Sequence, residues 1–231
     1  MRPVERGPWP QEANGTNKNF NPYGKSRADL MMRMEQYCVF CDRRLETSLA
    51  VEHKLPKASF PALEHDWNNF LLACTNCNST KGQRPNSLSD IYWPDQDNTF
   101  RAFEYVSGGR INVASGLTQI QTQKAQETLD LMGLQRTPNF SGGASDRRWM
   151  NRREAWDVAE RQRQTLTQID TPVIRQMIVD MARFRGYWSV WMTVFANDAD
   201  MRSRLINGFA GSAGSCFDAL MNPVQRPGGA L

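Results

Sequence analysis

Two cysteine pairs, Cys38-Val39-Phe40-Cys41 and Cys74-Thr75-Asn76-Cys77, stand about 30 residues apart and enclose the dipeptide Glu52-His53. Each Cys-x-x-Cys folds into a tight knuckle, and tetrahedral Zn²⁺ takes four thiolates arriving from two directions. Two disulfides or four ordinary buried thiols are the alternatives, and neither explains why both spacings are the same. A site closed by four cysteines has no open coordination position, so Cys38, Cys41, Cys74 and Cys77 are expected to hold one structural zinc. The chemistry then falls to the polar residues between them. His53 is one of only 2 histidines, and a neutral imidazole can take a proton from water near pH 7. Glu52 offers a hard carboxylate oxygen suited to a divalent cation. Together they suit phosphodiester hydrolysis, which needs an activated water and a cation against the developing charge. A surface pair on an edge strand is the alternative. Lys81 and Lys57 are candidates to meet a phosphate, against the plainer reading of solvated lysines. His65, in Leu63-Glu64-His65-Asp66, reads as a surface-loop residue.

The order Cys-x-x-Cys, Val51-Glu52-His53-x-x-Pro56-Lys57, then Trp67-x-Asn69-Phe70-Leu71-Leu72-x-Cys-x-x-Cys-Asn78-x-x-Lys81-Gly82 resembles an HNH (ββα-metal) endonuclease with a structural zinc. The likeness covers about 45 of 231 residues. It implies that Asn78 is a second metal ligand beside Glu52, holding one Mg²⁺ or Mn²⁺. It also implies that Asn69 braces the loop bearing the histidine, with Asn68 as a rival in Trp67-Asn68-Asn69-Phe70. A ligand set of one carboxylate and one amide is sparse, so the ion would keep several waters and lean on the substrate phosphate. The wider order (an Arg-Gly-Pro arm, the zinc module, a Trp-Pro-Asp hairpin and a helical tail) is similar to HNH nucleases of bacterial anti-phage systems, Septu-type and retron-linked. That likeness implies an ATPase partner, with the C-terminal helices as its docking surface.

Several elements must position these residues. Leu49 to His53 alternates as a strand, Phe70 to Ala73 can pair with it, and a helix from Thr75 to about Gln83 completes a ββα unit. Asn78 and Lys81 fall one turn apart on that helix. Residues 26 to 36 read as a helix opening at Ser26, with Asp29 as a capping-box acid. Residues 1 to 25, rich in Gly, Pro and Asn, read as an extended arm that Trp9, Phe20 and Tyr23 could pin, or else as a disordered tail. Ile91 to Pro94 and Phe100 to Val106 look strand-like, with a turn at Ser107 to Arg110 and a return over Ile111 to Val113. Gln119 to Met132 is an amphipathic helix with Ile120, Ala125, Leu129 and Met132 on one face, ended by Gly133.

The expected organisation is an α+β fold: an arm over 1–25, a zinc-stapled nuclease module with its β-hairpin over 26–135, a helical region over 146–221, and a flexible tail over 222–231. A linker falls at Pro138 to Ser145. Arg148 to Ile169 reads as one helix, whose Arg148 and Arg152 could grip a phosphate backbone or be solvated. A second starts at Thr171-Pro172, and Ile174, Ile178, Met181, Trp188, Met192 and Phe195 form a stripe for packing or for a partner. Net charge is +4, which permits nucleic-acid binding without demonstrating it. Cys216, alone among the 5 cysteines outside the pairs, suits a reducing compartment. With no secretory signal and no apolar run of membrane length, a cytoplasmic protein is expected. Three functions remain open: a DNA endonuclease acting on double strands, the same chemistry on RNA, or a silent zinc module that binds nucleic acid or protein.

Overall fold

The computed structural model describes residues 1–84, 87–137 and 146–231. The alternating segment Leu49–His53 is strand β1, and it pairs antiparallel with β2, Phe70–Cys74, with Leu49 opposite Cys74 and His53 opposite Phe70. Helix α2, Thr75–Lys81, leaves β2 without a loop: Cys74 is its N-cap, and Gly82 ends it at a φ of 60° that favours glycine. Helix α1, Ser26–Met34, lies against both strands. Every residue of β2 is therefore buried, and so are Val51, Glu52 and His53 at the end of β1. The capping box expected at Ser26 is absent. A 3₁₀ turn, Tyr23–Lys25, precedes α1, Ser26 Oγ donates to the Tyr23 carbonyl, and Asp29 takes Lys18 instead.

A short helix α3, Thr99–Ala102, leads into the hairpin of β3, Phe103–Val106, and β4, Arg110–Val113. Two strand readings are thereby corrected. Phe100 to Ala102 is helical, and Ile91 to Pro94 is an irregular buried segment whose Trp93 amide donates to Asp97 Oδ2 at 2.9 Å. Helix α4, Gln119–Met132, has a Thr118/Gln121 capping box and ends at Gly133 in the left-handed region. Ala125, Leu129 and Met132 face the core, whereas Ile120 is 81 % exposed because the first turn overhangs its edge.

Four helices follow: α5, Arg148–Leu166; α6, Pro172–Arg185; α7, Trp188–Val194; and α8, Ala199–Gly208. The apolar stripe anticipated from Ile174 to Phe195 is interrupted at Gly186-Tyr187, where Tyr187 takes a φ of 60° and the chain turns into α7. Ile178, Trp188, Met192 and Phe195 are buried, while Val173, Met177 and Phe184 of α6 are exposed. The helices close on the first knuckle: Asp42 accepts from the Ser189 amide at 3.1 Å, and its carbonyl accepts from Tyr187 N at 2.7 Å. The linker reading at Pro138 to Ser145 lies outside the described residues. No helix among the described residues is long and apolar enough to cross a membrane.

Both ends of the chain are packed. The arm is extended, with Phe20 stacked on Trp67 at 5.5 Å and Arg2 donating to the carbonyls of Met34 and Ala210. The flexible tail expected over 222–231 is instead ordered against the body. The Leu231 carbonyl accepts from Asn98 N at 2.9 Å, and Arg226 donates to the carbonyls of Val4 and Pro94. Its Gly-Pro composition does describe a loop, but side chains satisfy its polar groups in place of water.

Candidate active site

The four paired cysteines converge. All their sulfurs lie within 4.8 Å of one another and are buried, and Cys41 and Cys74 are 3.8 Å apart. Zn–S bonds near 2.3 Å place the corners of a tetrahedron about 3.8 Å apart, so the cluster has the dimensions of a zinc site. The donor chemistry agrees. Four crowded thiols satisfy one another poorly as hydrogen-bonding groups, and a dication turns them into ligands. Cys74 Sγ also accepts the Cys77 amide at 3.4 Å, so the second knuckle and the first turn of α2 are one structure.

Arg148 and Arg152 belong to this cluster, and not to a phosphate-gripping face. Each is 1 % exposed. Arg148 Nη1 donates to Cys77 Sγ at 3.1 Å and to the Met132 carbonyl at 2.8 Å, while Nη2 reaches the Gly133 carbonyl at 3.0 Å and Nε reaches Asp146. Arg152 donates to the carbonyls of Gly109 and Leu134. The hairpin turn is pressed against α5 at the same place: a Cβ on Gly109, whose φ is +77°, would sit 2.0 Å from the Trp149 carbonyl oxygen. Burial pushes Arg152 down to about 10, and the nearby Cys41 opposes this. A zinc tetrathiolate would carry two net negative charges, and Arg148, in contact with Cys77 Sγ, is a buried cation facing it.

Glu52 and His53 stand at the far end of β1, and neighbouring strand residues point to opposite faces. Glu52 turns toward α2. Its Oε1 meets Lys81 Nζ at 2.7 Å, with both side chains almost wholly buried. Burial raises the Glu52 pKa, and the Lys81 ammonium pulls it back. Lys81, a candidate phosphate contact by sequence, is thus a buried partner of the candidate metal ligand. Asn78, one turn earlier on α2, is half-buried, and its side chain has no hydrogen-bond partner among the described residues. A buried carboxylate facing a cation from α2, and an unpartnered amide one turn before that cation on the same helix, are donors that suit a divalent ion whose remaining ligands are water and phosphate.

His53 turns the other way. Its Nε2 lies 3.0 Å from the Glu64 carbonyl. A carbonyl only accepts, so Nε2 carries the hydrogen and the lone pair of the neutral ring is at Nδ1. Tyr23 and Phe70 pack edge-on against the ring at 4.7 and 5.3 Å. Burial is the largest influence on its pKa, which lies below the ordinary 6.5. Asn69 holds the loop after His53. Its Nδ2 donates to the Leu55 and Leu63 carbonyls at 2.9 and 3.2 Å, and its Oδ1 accepts from Leu55 N at 2.8 Å. Asn68 is exposed and, among the described residues, its side chain meets only Arg6.

Lys57 is exposed. It pairs with Glu64 Oε1 at 2.9 Å and lies over the Tyr23 ring. His65 is half-buried, with Nδ1 unpartnered, and is not the open surface residue expected. The sequence reading passed over the Glu64 carbonyl and Tyr23 as neighbours of His53. Nothing in the local pattern signals a backbone acceptor, whereas Tyr23 carried the weak signal of an aromatic in a polar arm.

Residues 38–84 match the family model described as HNH endonuclease. These residues are similar to an HNH endonuclease domain. The resemblance read from the motif therefore holds over the segment that carries both the cysteine cluster and the Glu52-His53 pair. The chain is also 33 % identical over 103 residues to the Septu protein PtuB of Bacillus thuringiensis, covering 42 % of this chain and 39 % of that protein. The match thus spans about two fifths of the length of that curated relative.

Proposed function

We propose that the protein is a metal-dependent endonuclease that hydrolyses phosphodiester bonds, with double-stranded DNA the favoured substrate. We place it as the nuclease of a bacterial anti-phage defence system acting in the cytoplasm. The observation that carries the reading is His53 at the end of β1, with Nε2 on the Glu64 carbonyl and Nδ1 left as its basic atom, next in sequence to the buried Glu52. In this reading Nδ1 accepts the proton of the attacking water, and the Glu64 carbonyl and Asn69 hold the ring and its loop in place. Glu52 and Asn78 hold one Mg²⁺ or Mn²⁺, which supplies a Lewis acid against charge developing on the phosphate. Cys38, Cys41, Cys74 and Cys77 hold zinc as a structural tie. The similarity to a Septu protein supports the defence setting, and the exposed Val173, Met177 and Phe184 of α6 support an ATPase partner docking on the C-terminal helices.

The second reading, a silent module that binds nucleic acid or protein, draws on one observation: Glu52 already has an ammonium partner. Incubating the protein with matched duplex DNA, single-stranded DNA and RNA, in Mg²⁺, Mn²⁺ or chelator, separates the readings. The expected result is metal-dependent cutting strongest on duplex DNA; RNA cut preferentially would reassign the substrate. The pH dependence follows from His53. Only the neutral ring is a base, so the rate falls as pH drops through its folded pKa, and that fall is expected below 6.5. An acid limb centred above 6.5 would remove His53 from the role of base.

A further inference from the structure

A second concave surface, sharing no residue with the Glu52–His53 site, opens where the first knuckle meets the start of α5 and the end of α6. It encloses about 470 Å³. Four arginines line it: Arg43 and Arg44 from the knuckle, Arg147 from the residue before α5, and Arg185 from the last residue of α6. One carboxylate, Glu154, opposes them, and it is paired with Arg185. Among the described residues, Arg43, Arg44 and Arg147 have no carboxylate within 4.0 Å. Arg43 Nε instead donates to Tyr187 Oη at 3.4 Å, Arg44 lies over the Phe184 ring at 5.3 Å, and Arg147 reaches only Met150 Sδ. Arg185 Nε is buried without a partner.

Like charges lining one cavity repel, and the fold fixes the backbones of two of them. Arg43 is bridged to Gly186 and Arg44 to Tyr37 through their backbones. The Tyr187 hydroxyl accounts for Arg43. It does not account for Arg44 or Arg147. We propose that this arginine-lined cavity is a phosphate-binding site that grips the backbone of a nucleic-acid strand outside the segment being cut. Planar guanidiniums suit paired phosphate oxygens. The lining also favours a backbone over a free nucleotide. Tyr187 is buried with its hydroxyl engaged by Arg43, so the cavity offers no open aromatic face on which a base could stack.

The proposal rests on the reading that the substrate is nucleic acid, and its test is independent of cutting. Fluorescence anisotropy of a labelled DNA duplex, in chelator and over about 50 to 200 mM salt, is compared for wild type, the double variant Arg44→Ala/Arg147→Ala, and His53→Ala. The expected result is at least about tenfold weaker binding by the double variant. Its slope of log affinity against log salt should be shallower by about 2, one unit per lost phosphate contact. His53→Ala should bind as wild type does. Unchanged thermal melting guards against a folding defect, and Arg44→Lys/Arg147→Lys should restore most of the binding. Wild-type affinity and slope in the double variant would overturn the proposal. So would a double variant that loses inorganic tripolyphosphate but keeps the duplex, because the site would then serve a free polyphosphate. Loss of binding in a protein that never cuts would leave the site standing and count against the nuclease reading alone.

Discussion

Chelating the metal from the four cysteines, or replacing Cys77 by serine, is expected to unfold the centre of the protein and not merely to silence it. The sheet of β1 and β2 has only two strands, and a lone two-stranded sheet is marginal in water. Helix α2 has 7 residues, well short of the roughly 12 needed for an isolated helix to persist. Structural zinc contributes on the order of 10–16 kcal/mol where it binds to folded cysteines. The damage then spreads through Arg148, which joins Cys77 to the carbonyls that end α4 and to Asp146. Arg148→Ala leaves Asp146 and two carbonyls without their buried cation, a loss expected to cost about 3–5 kcal/mol. Zinc release followed with a colorimetric chelator, alongside thermal melts, checks both variants. A chelated protein that kept its melting temperature would remove zinc from its structural role.

The second large effect is expected at Lys81. In metal-free protein, Lys81→Met leaves the Glu52 carboxylate buried with no counter-charge. The cost is about 3 kcal/mol, the low end for removing one partner of a buried pair, because Glu52 can take up a proton. The sign of the Glu52 shift agrees: burial already raises its pKa, and Lys81 is what holds it down. Divalent cations should reverse the loss, since an ion that binds only the folded protein stabilises it in proportion to the logarithm of its concentration. Thermal melts of wild type and Lys81→Met in chelator and across a Mg²⁺ or Mn²⁺ titration test this. A destabilised variant that no divalent ion rescues would mean that Glu52 is not a metal ligand. Rescue would show that a divalent ion can take the carboxylate that the ammonium faces in the metal-free protein.

Much of the candidate site was legible in the sequence because its determinants are local. Repeated Cys-x-x-Cys spacing, a strand ending in Glu52-His53 and a helix opening at Cys74 each follow from neighbouring residues. The C-terminal end of α4 was equally readable, from Gly133. What escaped was tertiary. The inner face of α5 runs Arg148, Arg152, Ala155, Ala159 and Leu166, so its first two positions carry charge and disguise a buried stripe as a solvated one. A guanidinium enters a core only when carbonyls and a thiolate wait for it, and those come from Met132, Gly109 and Cys77, distant in sequence. Lys81 was read beside Asn78 as a phosphate contact, whereas its partner lies across the module on β1. The last ten residues read as loose because Gly-Pro composition reports backbone preference and says nothing of whether Asn98 and Asp97 will satisfy that backbone.

Nicking of supercoiled plasmid by wild type and His53→Ala, each shown to carry zinc and to melt alike, in Mg²⁺ and in chelator, tests the central claim most directly. The expected result is cutting by wild type in Mg²⁺ alone, slowed by about 10²–10⁴ in the variant, the range that a general base contributes. Equal cutting by both proteins, or cutting by wild type in chelator, would contradict it.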